Sequence, residues 1–109
     1  MTVIAHCFLL FTARCGSDAD QRLCQAEAVL EEMLEPAGAI ARVGTAWAVC
    51  DAPDEPGCCE YTADLALEWD PGRQDDPCGE LEEPLRDIGF KLCRAATTPV
   101  ESRIWPLAA

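Results

Sequence analysis

Between residues 60 and 69 the chain alternates without a break. Tyr61, Ala63, Leu65, Leu67 and Trp69 point to one side of an extended strand, and Glu60, Thr62, Asp64, Ala66 and Glu68 to the other. Helical winding would scatter both sets around a cylinder, so this stretch is a strand with one core face and one wet, acidic face. Such a strand belongs in a sheet covered on one side only, which is characteristic of antiparallel sheets. That single segment excludes an all-helical chain.

The remaining segments follow from their own periodicity. The apolar run 1–11 has no Lys or Arg ahead of it and no small-residue cleavage pattern after it, so it reads as a buried strand rather than a leader. It is also shorter than the roughly 20 residues a membrane helix needs. Ser17 caps a helix, with Asp20 completing an imperfect capping box, and Ala19, Leu23, Ala26, Leu30 and Met33 form its apolar stripe up to Pro36 and Gly38. Residues 39–50 alternate as a second strand with Val43, Trp47 and Val49 on one face. After the turn 70–77, Leu81, Leu85, Ile88 and Leu92 recur at helical spacing, with Pro84 expected in the first turn, where its missing N–H costs nothing. A short last strand is expected over residues 100–105, after Pro99.

The order strand, helix, strand, strand, helix, strand is the split βαβ arrangement, an α+β ferredoxin-like fold with both helices on one face of a four-stranded antiparallel sheet. At 109 residues the chain forms one domain. Strands one and three are central, and the expected core is Leu23, Leu30, Trp47, Leu65, Leu67, Leu85, Ile88 and Leu92. The first strand carries Ile4, Phe8 and Leu10 opposite Val3, Cys7, Leu9 and Phe11, so its open face is apolar as well. A partner, a second copy, or a covering loop or tail would each account for that strip.

Charge is concentrated. Thirteen of the 20 acidic residues lie between Asp51 and Asp87, against Arg73 and Arg86 only, in a chain of net charge -12. Such a surface repels nucleic acid and anionic membrane and attracts cationic proteins. Direct nucleic-acid binding and membrane association are therefore not expected.

Eight cysteines stand at positions 7, 15, 24, 50, 58, 59, 78 and 93, without a C-x-x-C pair and with His6 as the one histidine. That spacing argues against a structural metal, and free, partly buried thiols are expected. In the expected topology Cys15, Cys24, Cys50, Cys58, Cys59 and Cys93 gather at one end of the sheet and Cys78 lies at the other. A disulfide from Cys50 to Cys58 or Cys59 is the alternative in an oxidising compartment. Nucleophilic catalysis has little to build on, since a thiolate needs a basic neighbourhood and the chain offers His6 and Lys91. No cofactor motif is present, and a non-enzymatic protein is expected.

RNA-binding domains of this fold stack bases on the open sheet face amid positive charge. Here that face carries acids. In size, acidity and expected α+β fold the whole chain resembles the acidic phage anti-CRISPR proteins that block DNA capture by a type I surveillance complex. The resemblance implies a cytoplasmic protein of an infected bacterial cell, monomeric or homodimeric, that mimics nucleic-acid charge on a basic partner. Its contact set would be Asp54, Glu55, Glu60, Asp64, Glu68, Asp70, Asp75, Asp76, Glu80, Glu82 and Glu83, led by the acid row of the third strand. An immunity protein against a cationic nuclease toxin and a thiol-based redox or metal-handling protein are the alternatives.

Overall fold

The computed structural model describes residues 2–99, with residues 96–99 as backbone. Its elements are β1 (Val3–Ala13), α1 (Gly16–Leu34), a 3-10 turn (Glu35–Ala37), β2 (Ile40–Asp51), β3 (Cys59–Trp69), α2 (Cys78–Asp87) and β4 (Lys91–Pro99). They form one sheet in the order β2-β3-β1-β4, with every neighbouring pair antiparallel. This is the ferredoxin-like α+β fold. The apolar run at the N-terminus is the central strand β1, paired with β3 from Val3 opposite Trp69 to Ala13 opposite Cys59.

The odd-numbered residues of β1 and β3 make the core floor. Leu9, Leu65 and Leu67 are completely or nearly completely buried there, against Leu23 and Leu30 of α1 and Leu81 and Leu85 of α2. Phe11 stacks on Tyr61 at 5.9 Å between ring centres and meets Phe90 at 4.7 Å, closing one end of that core. Truncating any of the buried leucines to alanine would cost about 2–5 kcal/mol.

Four local expectations are corrected. The cap of α1 is Cys15 rather than Ser17, and Asp18 supports it by accepting the Arg14 backbone N–H at 2.9 Å. The apolar stripe ends on Leu34, which is buried, while Met33 is exposed; Gly38, at φ 76°, then turns the chain out of the helical layer. Pro84 lies inside α2 because the helix begins early, where the Asp76 carboxylate accepts the Cys78 N–H at 2.9 Å. The last strand is Lys91–Pro99, so Leu92 packs on the core from β4 and not from a helix; residues 100–105 lie outside the described residues.

A larger correction concerns Trp47. Val43 pairs with Leu65 and Ala46 with Ala63, so Gly44 and Thr45 together face Asp64 across a β-bulge. The extra residue reverses the alternation of β2, as a bulge must. Trp47 therefore lies opposite Thr62 on the open face, 45% exposed, instead of in the core. At Gly44 a Cβ would stand 3.4 Å from the Asp64 Cβ, at the edge of ordinary contact, so the strands run close at the bulge. Ile88 and Leu92 are half-buried and pack against the core margin.

Candidate functional site

The acidic residues divide between three places. Glu60, Asp64 and Glu68 are on the open face of β3, as the alternation requires, with Glu60 and Asp64 exposed. At four residues apart, neighbours in this row are about 13 Å distant along the strand. Two of them have partners: Glu60 accepts the Cys50 thiol at 3.1 Å, and Glu68 faces the Arg42 guanidinium at 3.9 Å. Lys91, opposite Leu10 on β4, adds a further cation to this face.

Loop carboxylates flank the sheet ends and are largely structural. Glu55 accepts the Thr12 hydroxyl at 2.7 Å, and Asp70 accepts the Gly72 N–H at 2.9 Å to close its turn. Asp76 both starts α2 and pairs with Arg94. Asp54 and Asp75 are exposed at the loop surfaces.

The third group is the helical layer. Glu80, Glu82 and Glu83 are exposed on α2, on the opposite side of the molecule from the β3 row. They are joined by Asp87 and by Asp20, Glu27, Glu31, Glu32 and Glu35 of α1 and its 3-10 extension, all exposed. Of these, Glu80, Glu82 and Glu83 belong to the contact set expected from sequence and Asp20 to the expected capping box; Glu27, Glu31, Glu32, Glu35 and Asp87 do not, although each falls off the apolar stripe and so had to face solvent. Basic residues on the two helices are Arg22, bound to Asp18 at 3.8 Å, and Arg86. The dense negative surface is thus the helical layer, while the open face mixes a few carboxylates with cations.

Apolar groups fill much of the rest of the open face. Leu10, Ile40, Trp47 and Val49 are among the exposed large hydrophobic side chains, and Phe8 is half-buried between them. A hollow of about 320 Å³ lies there, bounded by Leu10, Thr12, Val49, Glu60, Thr62 and Lys91.

The cysteines are free thiols, and only part of the expected gathering occurs. Cys15, Cys50, Cys58 and Cys59 lie at the end of the sheet where β1 finishes and β3 begins. Cys93 sits mid-sheet opposite Phe8, because β4 starts earlier than the sequence suggested, and Cys24 is on the exposed side of α1. Cys78 is away from that end, in the core, with its sulfur 3.8 Å from that of Cys7.

Local fields differ among these thiols. The Ser17 hydroxyl and the Asp18 backbone N–H stabilise a thiolate at Cys15 and lower its pKa. Glu60 accepts the Cys50 proton and raises that pKa, and at Cys59 desolvation and then Asp51 do the same. No group of three or more His, Cys, Asp or Glu is arranged to hold a metal ion among the described residues. No helix among them is long and apolar enough to cross a membrane.

No protein-family model and no curated protein sequence matches this chain. Solved structures do match. A hydantoinase/carbamoylase family amidase from Burkholderia ambifaria superposes with a TM-score of 0.56 and 16% identity, over 90% of this chain and 28% of that one. AtUAH in complex with glyoxylate gives a TM-score of 0.56 and 12% identity, over 89% and 28%. An amidase of the hydantoinase/carbamoylase family from Burkholderia phymatum gives 0.52 and 15%, over 87% and 28%. The chain therefore spans under a third of the length of these structures. At such identities the likeness establishes the fold, here as one portion of larger chains.

Proposed function

We propose that this chain is a binding protein without chemistry of its own, which occupies the cationic nucleic-acid-binding surface of another protein by mimicking a polyanion. A type I CRISPR surveillance complex is the partner in the anti-CRISPR reading. The observation that carries the proposal is the line Glu27 and Glu31 along α1 and Glu35 at the start of its 3-10 extension, with no basic residue in the helix's last turn.

Like charges four residues apart repel by a few tenths of a kcal/mol per pair. Acids at a helix C-terminus also oppose the macrodipole, where Lys or Arg would be stabilising. The chain thus keeps carboxylates where they weaken its own helix, which is intelligible if they act on something outside. Successive members of the line are about 6 Å apart along the axis, a closer spacing than the β3 row, and α2 adds Glu80, Glu82 and Glu83 to the same layer. A groove that binds duplex phosphates offers such a surface a matching field.

The apolar open face supports a second element of the reading, a contact of ordinary protein–protein type in which Trp47 and Leu10 act as anchors beside Glu60 and Asp64. Competition between this protein and target DNA for a purified type I surveillance complex, over a salt series, tests the proposal. Displacement of DNA that weakens as salt rises is expected. Absence of displacement at low salt would exclude this partner, and displacement by a mechanism indifferent to salt would exclude mimicry.

A further inference from the structure

Cys7 and Cys78 are 71 positions apart in sequence, yet their sulfurs are 3.8 Å apart in the core. Cys7 is on the buried face of β1, 2% exposed, and Cys78 is the first residue of α2, 8% exposed. Nothing separates the two sulfurs, and an approach of under about 2 Å brings them to bonding distance. We propose that this pair is an oxidative modification site: hydrogen peroxide converts the two thiols to a disulfide that fixes the start of α2 to the middle of the sheet.

The chemistry balances within the pair. Either thiol can donate to the other, and the hydrogen bond from Cys78 together with the Arg94 guanidinium lowers the pKa of Cys7. The same hydrogen bond and burial raise that of Cys78; either sulfur can attack first, and the order beginning at Cys7 gives the same disulfide as its reverse. With Cys7 first, its thiolate attacks one peroxide oxygen, the O–O bond breaks, and Cys7 becomes a sulfenic acid as hydroxide takes up a proton and leaves as water. Cys78 sulfur then attacks the sulfenic sulfur, the S–S bond forms, the S–O bond breaks, and a second water leaves with the Cys78 proton. Two thiols lose two electrons, and peroxide gains them.

The joint is placed where it matters to the fold. α2 is short and carries Pro84 in its interior, without an N–H for the preceding turn. Closing a loop of this length restricts the unfolded chain strongly, so the oxidised protein should be the more stable form. The inference rests on the thiol geometry alone and is independent of any partner.

The test uses the full chain, reduced and freed of reductant at low concentration, then treated with stoichiometric hydrogen peroxide, denatured and alkylated. The expected product is a monomer carrying two fewer alkyl groups than the reduced chain, in which peptide mapping joins the Cys7 and Cys78 peptides. Its Tm should exceed that of the reduced chain by several degrees, and dithiothreitol should reverse the gain. Cys78→Ser should show no gain on the same treatment; should that variant fail to fold, the peptide map of the parent decides by itself. Recovery of Cys7 and Cys78 both alkylated, with or without crosslinks among Cys15, Cys50, Cys58 and Cys59, overturns the proposal.

Discussion

Trp47 lies opposite Thr62 on the open face of the sheet, carried there by the bulge at Gly44 and Thr45. A tryptophan that would otherwise belong to the core is thereby presented to solvent at 45% exposure. Trp47→Ala should then cost under about 1 kcal/mol of stability, whereas Leu65→Ala, on the buried face of β3, should cost about 2–5 kcal/mol. Urea unfolding of both variants checks the contrast. Equal, large losses would mean that Trp47 is packed and the bulge is absent.

Asp18 binds the Arg14 backbone N–H and lies near the guanidinium groups of Arg14 and Arg22, at 3.7 and 3.8 Å. The backbone hydrogen bond is the chief reason its pKa is lowered, with the two arginines adding to it. A depressed folded-state pKa contributes stability that is fully present above the ordinary aspartate value, 3.8, and is lost as pH falls through the lower folded value. Asp18→Asn should therefore destabilise the protein at pH 7, and the deficit relative to the parent should shrink in acid. Unfolding midpoints measured from pH 7 down to acid would reveal this; a deficit that is constant with pH contradicts the role.

Among the exposed thiols, Cys15 should react first. Its pKa is lowered by the Ser17 hydroxyl and the helix N-terminus, and that of Cys50 is raised by Glu60. At a given pH near neutrality Cys15 holds the larger thiolate fraction, and its alkylation rate should level off at lower pH than that of Cys50. Timed labelling with iodoacetamide, read by peptide mass, decides the order. Glu60→Gln should accelerate Cys50 and leave Cys15 unchanged.

Several of these relationships could be read from sequence and others could not, for physical reasons. The strand of residues 60–69 was legible because period two is unambiguous over that length, and with it came the topology and the acid row. Trp47 was misplaced because a bulge inserts a residue without disturbing composition, and Gly44 is its only mark. Leu92 was assigned to a helix because its spacing from Ile88 continued the helical count across Gly89, where the chain turns into β4. The Cys7–Cys78 contact arises only when β1 and α2 pack, so no spacing rule could reveal it. Glu80, Glu82 and Glu83 were placed in the contact set from sequence but the α1 carboxylates were not, and the density of the helical layer emerged only when both helices came to one side.

The most direct test of the account compares two charge reversals made on matched proteins. Glu27→Lys, Glu31→Lys, Glu82→Lys and Glu83→Lys together alter the helical layer, and Glu60→Lys, Asp64→Lys and Glu68→Lys together alter the open face. All seven side chains are off the core, so circular dichroism should confirm that both variants fold. Competition with target DNA for a purified type I surveillance complex at low salt is then measured for each. The account predicts that the helical-layer variant loses competition by at least about tenfold, equivalent to roughly 1.4 kcal/mol, and that the open-face variant loses less. Full competition by the helical-layer variant, whatever the open-face variant does, would contradict it.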